Sequence, residues 1–154
     1  MKRNLLYLIA LACIGMLAYA LHLQFFNGIK ACQLCVVQRY VLVLLVVVCI
    51  VCAFFNAPRV GAGTGLFLAL CGGGTAGWQL WRTTKSGISC SLSALESTLN
   101  HLITAKFFPS MFRVQVACVD DRFRIFSFSI PQWSLIAFCV FGAVFLLILF
   151  VRVR

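Results

Sequence analysis

Residues 36–55 read VVQRYVLVLLVVVCIVCAFF, an apolar run interrupted only near its start by Gln38, Arg39 and Tyr40. A helix crosses the hydrocarbon core of a bilayer with about 20 apolar residues, and this run has that length. Three more windows match it, at 5–23, 60–81 and 132–151. The composition agrees. Of 154 residues, 63% are hydrophobic and 10% charged, with a mean hydropathy of +1.05, against about 25% charged in an ordinary soluble domain. The sequence therefore predicts an all-α membrane protein, a four-transmembrane-helix bundle forming a single membrane domain over 1–154.

The first window has a second reading. Lys2 and Arg3, an apolar run and Ala18-Tyr19-Ala20 resemble a secretory signal with a small-residue cleavage site. The run continues through Leu21, Leu23, Phe25 and Phe26, which favours a retained helix.

Four spans put both termini and the Asn56–Arg59 turn on one side, and the loops 24–35 and 82–131 on the other. The positive-inside rule discriminates poorly between them. Lys2, Arg3, Arg59, Arg152 and Arg154 lie on the terminal side, and Lys30, Arg39, Arg82, Lys85, Lys106, Arg113, Arg122 and Arg124 on the other. Only the charges packed against short segments favour cytoplasmic termini. The cysteines, below, argue better for that orientation. The formal charge of +10 is scattered singly and builds no basic helix face, so the footprint of a nucleic-acid binder is missing. Anionic lipid headgroups suit it better.

Two further patterns concern packing. The third window carries Gly61, Gly63, Gly65, Gly72, Gly73, Gly74 and Gly77, which weaken a helix but let a neighbouring backbone come close. Tight helix packing is the expectation, and a flat ligand on that face the alternative. In the long loop, Leu92, Leu95, Leu99, Leu102 and Ile103 recur at helical spacing, Ser93-x-x-Glu96 fits a capping box, and Pro109 ends the pattern. Such an amphipathic helix lies in the membrane interface or packs on protein.

Position sorts the nine cysteines. Cys13, Cys49, Cys52, Cys71 and Cys139 fall inside apolar windows, where a cysteine is normally a small buried hydrophobe. Cys49-x-x-Cys52 repeats the spacing of Cys32-x-x-Cys35, but Cys49 lies about 21 Å deeper along a helix than Cys35. Thiolate chemistry is costly there. Cys32, Cys35, Cys90 and Cys118 remain, an even set facing one compartment. They are expected to form disulfides, which persist on the oxidising side of a membrane, and four cysteines allow three complete pairings. A zinc site from the same four thiolates is the metal alternative. It is weaker, because structural zinc usually draws C-x-x-C from both halves.

Cys35 stands at a predicted helix N-terminus, where exposed amides and the helix dipole favour an anion. Arg39 follows one turn later on the same face. Helical side chains lean toward the N-terminus, so the guanidinium can reach back toward the Cys35 sulfur or an electron-rich ligand beside it. A snorkelling anchor is the plainer role for such an arginine.

These residues together resemble the disulfide-bond formation protein B (DsbB) family of bacterial inner-membrane quinone reductases. The likeness covers nearly the whole chain: four spans, a C-x-x-C opening the second in CQLCVVQRY, a glycine and glutamine near the end of the third in GWQLW, a long loop with two cysteines, and IPQWSL opening the fourth. It implies that Cys32 and Cys35 are the pair next to the quinone (ubiquinone or menaquinone), and that Arg39 lies beside that quinone. It further implies that Cys90 and Cys118 meet a periplasmic DsbA-like thioredoxin-fold protein, with cytoplasmic termini and periplasmic loops. The sequence departs from the family twice. Gln38 stands where some members have an acidic residue, and Arg82, Thr83 and Thr84 where some carry a histidine.

Two other classes share parts of this pattern. A vitamin K epoxide reductase-like enzyme has the four-helix core and the quinone chemistry, but that family's pattern puts its C-x-x-C near the last span. A non-enzymatic cysteine-stapled or metal-binding membrane protein would use the thiols as staples or ligands. With only three Met and two His, the chain is poorly equipped for metal transport.

Overall fold

The computed structural model describes residues 2–28, 32–84, 93–114, 124–125 and 128–150. Four long helices dominate: α1 (Lys2–Phe26), α2 (Gln33–Phe54), α3 (Pro58–Thr84) and, closing the chain, α7 (Ile130–Phe150). All four are long and apolar enough to cross a membrane. Between α3 and α7 lie α4 (Ser93–His101), α5 (Ile103–Phe107) and α6 (Pro109–Phe112), then two short antiparallel strands, β1 (Arg124–Ile125) and β2 (Phe128–Ser129), in which Ile125 pairs with Phe128. The protein is a four-helix membrane bundle. Its helices extend past the apolar windows at most of their ends, because helical hydrogen bonding continues into flanking polar residues. In particular, α1 runs unbroken through Ala20.

Local chemistry sets the helix ends. At the close of α2, Asn56 adopts φ +53°, a left-handed conformation that asparagine tolerates better than most residues. The Ala57 N–H donates to Cys52 O at 2.9 Å and the Asn56 N–H to Ala53 O at 3.4 Å, the pairing of a Schellman cap. Pro58 then occupies the first position of α3, where its missing N–H costs nothing. At the start of α7, Gln132 reaches back and its Oε1 accepts from the Ser129 N–H at 2.7 Å, one half of a capping box.

In the bundle, α2 packs between α1 and α3, and α3 packs against α7. The core joins Leu6, Ile9 and Cys13 of α1, Leu42, Leu45 and Cys49 of α2, Ala62 and Ala69 of α3, and Phe138, Phe141, Phe145 and Ile148 of α7. The outward faces are equally apolar, with Leu8, Leu11, Phe67, Leu70 and Leu147 all exposed. Helices that are hydrophobic all round belong in lipid. Lys2 Nζ donates to Ile148 O at 2.7 Å, and Arg3 Nη1 to Asn56 Oδ1 at 3.4 Å. The start of α1, the end of α7 and the α2–α3 turn therefore share one end of the bundle.

Three of the glycines of α3, Gly61, Gly65 and Gly72, are packing residues. A Cβ at Gly65 would lie 2.5 Å from Phe145 Cζ, one at Gly72 would collide with the Phe138 ring, and one at Gly61 would meet Cys52 Cβ at 2.7 Å. Gly65 and Gly72 are a heptad apart on α3, as Phe138 and Phe145 are on α7. Two phenylalanine rings thus seat in two notches of an antiparallel helix. Beside Gly63, Gly74 and Gly77 there is open space.

In the loop, the single amphipathic helix expected through Ile103 is broken. Leu102 takes an extended conformation (φ −62°, ψ 141°) and serves as the N-cap of a new helix, α5. Leu99 is buried, whereas Leu102 and Ile103 are exposed. The expected apolar stripe is therefore split by a one-residue change of direction. The side chains of Leu92, Ser93, Leu95 and Glu96 lie outside the described residues, and with them the expected capping box. Leu99, Ala105, Phe112 and Val114 pack on Val36. The Tyr40 ring stacks on Phe112 at 4.4 Å, and the Tyr40 hydroxyl is hydrogen-bonded to Thr104 Oγ1. This part of the loop thereby covers the first turns of α2.

Candidate functional site

The first turns of α2 carry Cys32, Cys35 and Arg39 within a short length of chain. Cys32 is the N-cap, with extended backbone (φ −83°, ψ 164°), and its sulfur accepts from the Cys35 N–H at 3.1 Å. Asp, Asn, Ser or Thr usually takes that role. Cys32 and Cys35 are joined by a disulfide, with their Cα atoms 5.1 Å apart. Cys32 is buried and Cys35 partly exposed.

Four polar or charged side chains are buried among the described residues: Gln33, Gln38, Arg39 and Gln79. Three belong to the first turns of α2, and the fourth comes from α3 to meet them. Gln79 Nε2 donates to Cys32 Sγ at 3.3 Å and to Cys35 Sγ at 3.5 Å. Gln38 Nε2 donates in turn to Gln79 Oε1 at 3.1 Å. Buried polar groups in a membrane helix are costly and mark functional sites. Here two of them, Gln38 and Gln79, form a chain of amides that ends on the disulfide.

Arg39 is 7% exposed, too enclosed for an anchor that reaches for water. Its Nη1 donates to Gln24 Oε1 of α1 at 3.0 Å and to the Met111 carbonyl of α6 at 2.8 Å. The sequence allowed it to reach back toward the Cys35 sulfur or toward an electron-rich ligand beside it. The group that donates to the sulfurs is instead Gln79, one helix away, while Arg39 ties α1 and the loop to α2. Its acceptors are an amide oxygen and a carbonyl oxygen, neither of which neutralises its charge. A carbonyl ligand that gains negative charge suits such a donor.

The remaining thiols lie elsewhere. Cys13 and Cys49 are buried in the bundle core, Cys52 packs on Gly61, and Cys71 and Cys139 face outward; all five are free. Cys90 and Cys118 lie outside the described residues.

A family model described as "Disulfide bond formation protein DsbB" matches residues 2–148. The chain belongs to the DsbB family. It is 37% identical to the disulfide bond formation protein B of Herminiimonas arsenicoxydans over 148 residues, covering 95% of this chain and 93% of that one. With the protein of the same name from Nitrosomonas europaea it shares 34% identity, covering 92% and 90% of the two chains. For that of Burkholderia pseudomallei (strain K96243) the identity is 38%, over 89% and 83%.

Sequence reasoning singled out Cys32, Cys35 and Arg39, which share the first turns of α2, but did not assign Gln24, Gln38 and Gln79 to the site. The available signal was polarity out of place. Gln38 and Gln79 sit inside largely apolar windows, and a glutamine there has to find a partner.

Proposed function

We propose that the protein is a protein-dithiol:quinone oxidoreductase. It generates disulfides by reoxidising a periplasmic DsbA-like thioredoxin-fold dithiol oxidase, and passes the electrons to membrane quinone. The observation that carries this reading is the chain of buried amides from Gln38 through Gln79 to both sulfurs of the Cys32–Cys35 disulfide, at the end of the bundle opposite the termini. Family membership supports it. Disulfides persist on the oxidising side, so that end faces the periplasm of a bacterial inner membrane and the termini face the cytoplasm.

The relay begins in the loop. The partner's thiolate attacks a Cys90–Cys118 disulfide at Cys90, forming a mixed disulfide and releasing Cys118 as a thiolate. Cys118 then attacks Cys32 Sγ: the new S–S bond forms there, and the old bonding pair leaves on Cys35. A stabilised leaving thiolate accelerates such an exchange. Quinone supplies an acceptor for two electrons and two protons. It would be held against Cys35 and Arg39, whose charge favours a carbonyl oxygen becoming an anion. Cys35 meets the fit required of it, because it is partly exposed whereas Cys32 is buried.

The test is reconstitution of the purified protein with a reduced thioredoxin-fold dithiol partner and a soluble quinone analogue, following quinone absorbance for the wild type and Cys35→Ser. Quinone reduction that requires both the partner and Cys35 is expected. Full reduction by Cys35→Ser would remove the assignment, and no reduction with several partners and quinones would remove the function.

A further inference from the structure

The disulfide dictates the direction of the two-amide chain beside it. A disulfide sulfur carries no proton and can only accept. Gln79 approaches both sulfurs, at 3.3 and 3.5 Å, so the end of its amide facing them must be the NH2. Its oxygen then points away from them and meets the NH2 of Gln38 at 3.1 Å. Each amide's orientation follows from its neighbour's. Both side chains are buried, at 4% and 6% exposure, so water does not compete for these contacts and the low local dielectric strengthens them.

We propose that Gln79 is a catalytic residue that stabilises the Cys35 thiolate, and that Gln38 is the positioning residue that keeps the Gln79 donors turned toward it. The inference rests on the reading above, in which Cys35 is the leaving sulfur. When a thiolate attacks Cys32 Sγ, its electron pair forms the new S–S bond. The Cys32–Cys35 bonding pair leaves on Cys35 Sγ, which becomes an anion without any proton transfer. The Gln79 N–H already points there. Its bond changes from a weak contact with a neutral sulfur to a charge-assisted one, so the stabilisation grows as the charge develops and accelerates the step. The two polar donors of the site divide their work. Gln79 serves the sulfur, while the Arg39 Nη1 atom is engaged by α1 and the loop.

The test uses the full chain in lipid nanodiscs. Cys32→Ser leaves Cys35 as a free thiol, and its alkylation by iodoacetamide at one pH below the pKa of that thiol is followed by peptide mass. Gln79→Met, close in length but without N–H donors, is then added to that background. One hydrogen bond to an anion is worth about a tenfold change in thiolate fraction. Higher nucleophilicity of the more basic thiolate offsets part of that loss. Alkylation of Cys35 is therefore expected to slow roughly threefold to tenfold. Gln38→Leu, which frees the Gln79 amide to turn, should give a smaller slowing. With both cysteines intact, Gln79→Met should make the pair more reducing by about 30 mV for a tenfold effect.

An unchanged alkylation rate in a Gln79→Met protein that melts like its parent would overturn the proposal. Should that variant fail to fold, Gln38→Leu decides, and an unchanged rate there overturns it. Alkylation needs neither partner nor quinone. Unchanged alkylation with quinone reduction intact would therefore remove the role of Gln79 alone, whereas slowed alkylation in a protein that reduces no quinone would remove the reading on which that role rests.

Discussion

The Arg39 guanidinium donates to the backbone carbonyl of Met111 at 2.8 Å. One side chain thus joins the redox helix to the loop between α3 and α7, and its contact with Gln24 adds the end of α1. A charged donor shared by three elements fixes their relative position, so substitution affects the loop as well as any ligand beside Arg39.

Arg39→Ala should raise the KM for quinone about tenfold, the scale of one charged hydrogen bond. It should also loosen the loop's hold on α2. Steady-state kinetics with a soluble quinone checks the first effect, and faster amide exchange over residues 103–113 the second. An unchanged KM with faster exchange would reduce Arg39 to a structural clamp.

Gly72→Ala tests the notch beneath Phe138. The added Cβ would collide with the ring, and neither an α3 backbone nor a ring wedged between helices can yield cheaply. A loss of about 1–3 kcal/mol is expected, the usual cost of overpacking a filled core. Gly74→Ala, with open space beside it, should be neutral or slightly stabilising, since alanine favours a helix. Thermal melts of the two variants in the same detergent make the comparison.

The spans were legible because one property, apolar length, decides them, and no tertiary contact is needed to recognise it. The α2–α3 turn was legible in the same way, as the short gap Asn56–Arg59 between two apolar windows. The polar site was only half legible. Cys32, Cys35 and Arg39 are neighbours in sequence, but Gln79 reaches the sulfurs from another helix, and its approach is set by how α3 packs on α2. Single-sequence periodicity does not carry that information. The loop failed for a different reason. Leu102 continues the apolar spacing perfectly well, yet its extended backbone ends one helix and starts another, a break invisible to a pattern of side chains.

Cys49→Ala and Cys52→Ala should leave turnover nearly unchanged, although the pair repeats the C-x-x-C spacing. Both sulfurs are free, and Cys49 is packed in the core. Its replacement should cost about 1 kcal/mol as a small cavity without touching the relay. Loss of turnover in either variant at normal expression would show that electrons reach the deeper pair.

Phe112 holds the loop by its ring. It is buried against Val36 and stacked on Tyr40 at 4.4 Å, so Phe112→Ala removes a ring-sized apolar contact between α6 and α2. Core phenylalanine truncations cost about 3–5 kcal/mol, but α4 to α6 can detach while the four long helices remain packed. The loss is therefore expected as local opening rather than global unfolding. Amides of residues 103–113 should exchange much faster while the bundle's melting point hardly moves. A bundle that melts markedly earlier would mean that the loop is part of the membrane domain's stability, and no longer a separable cover over the redox end of α2.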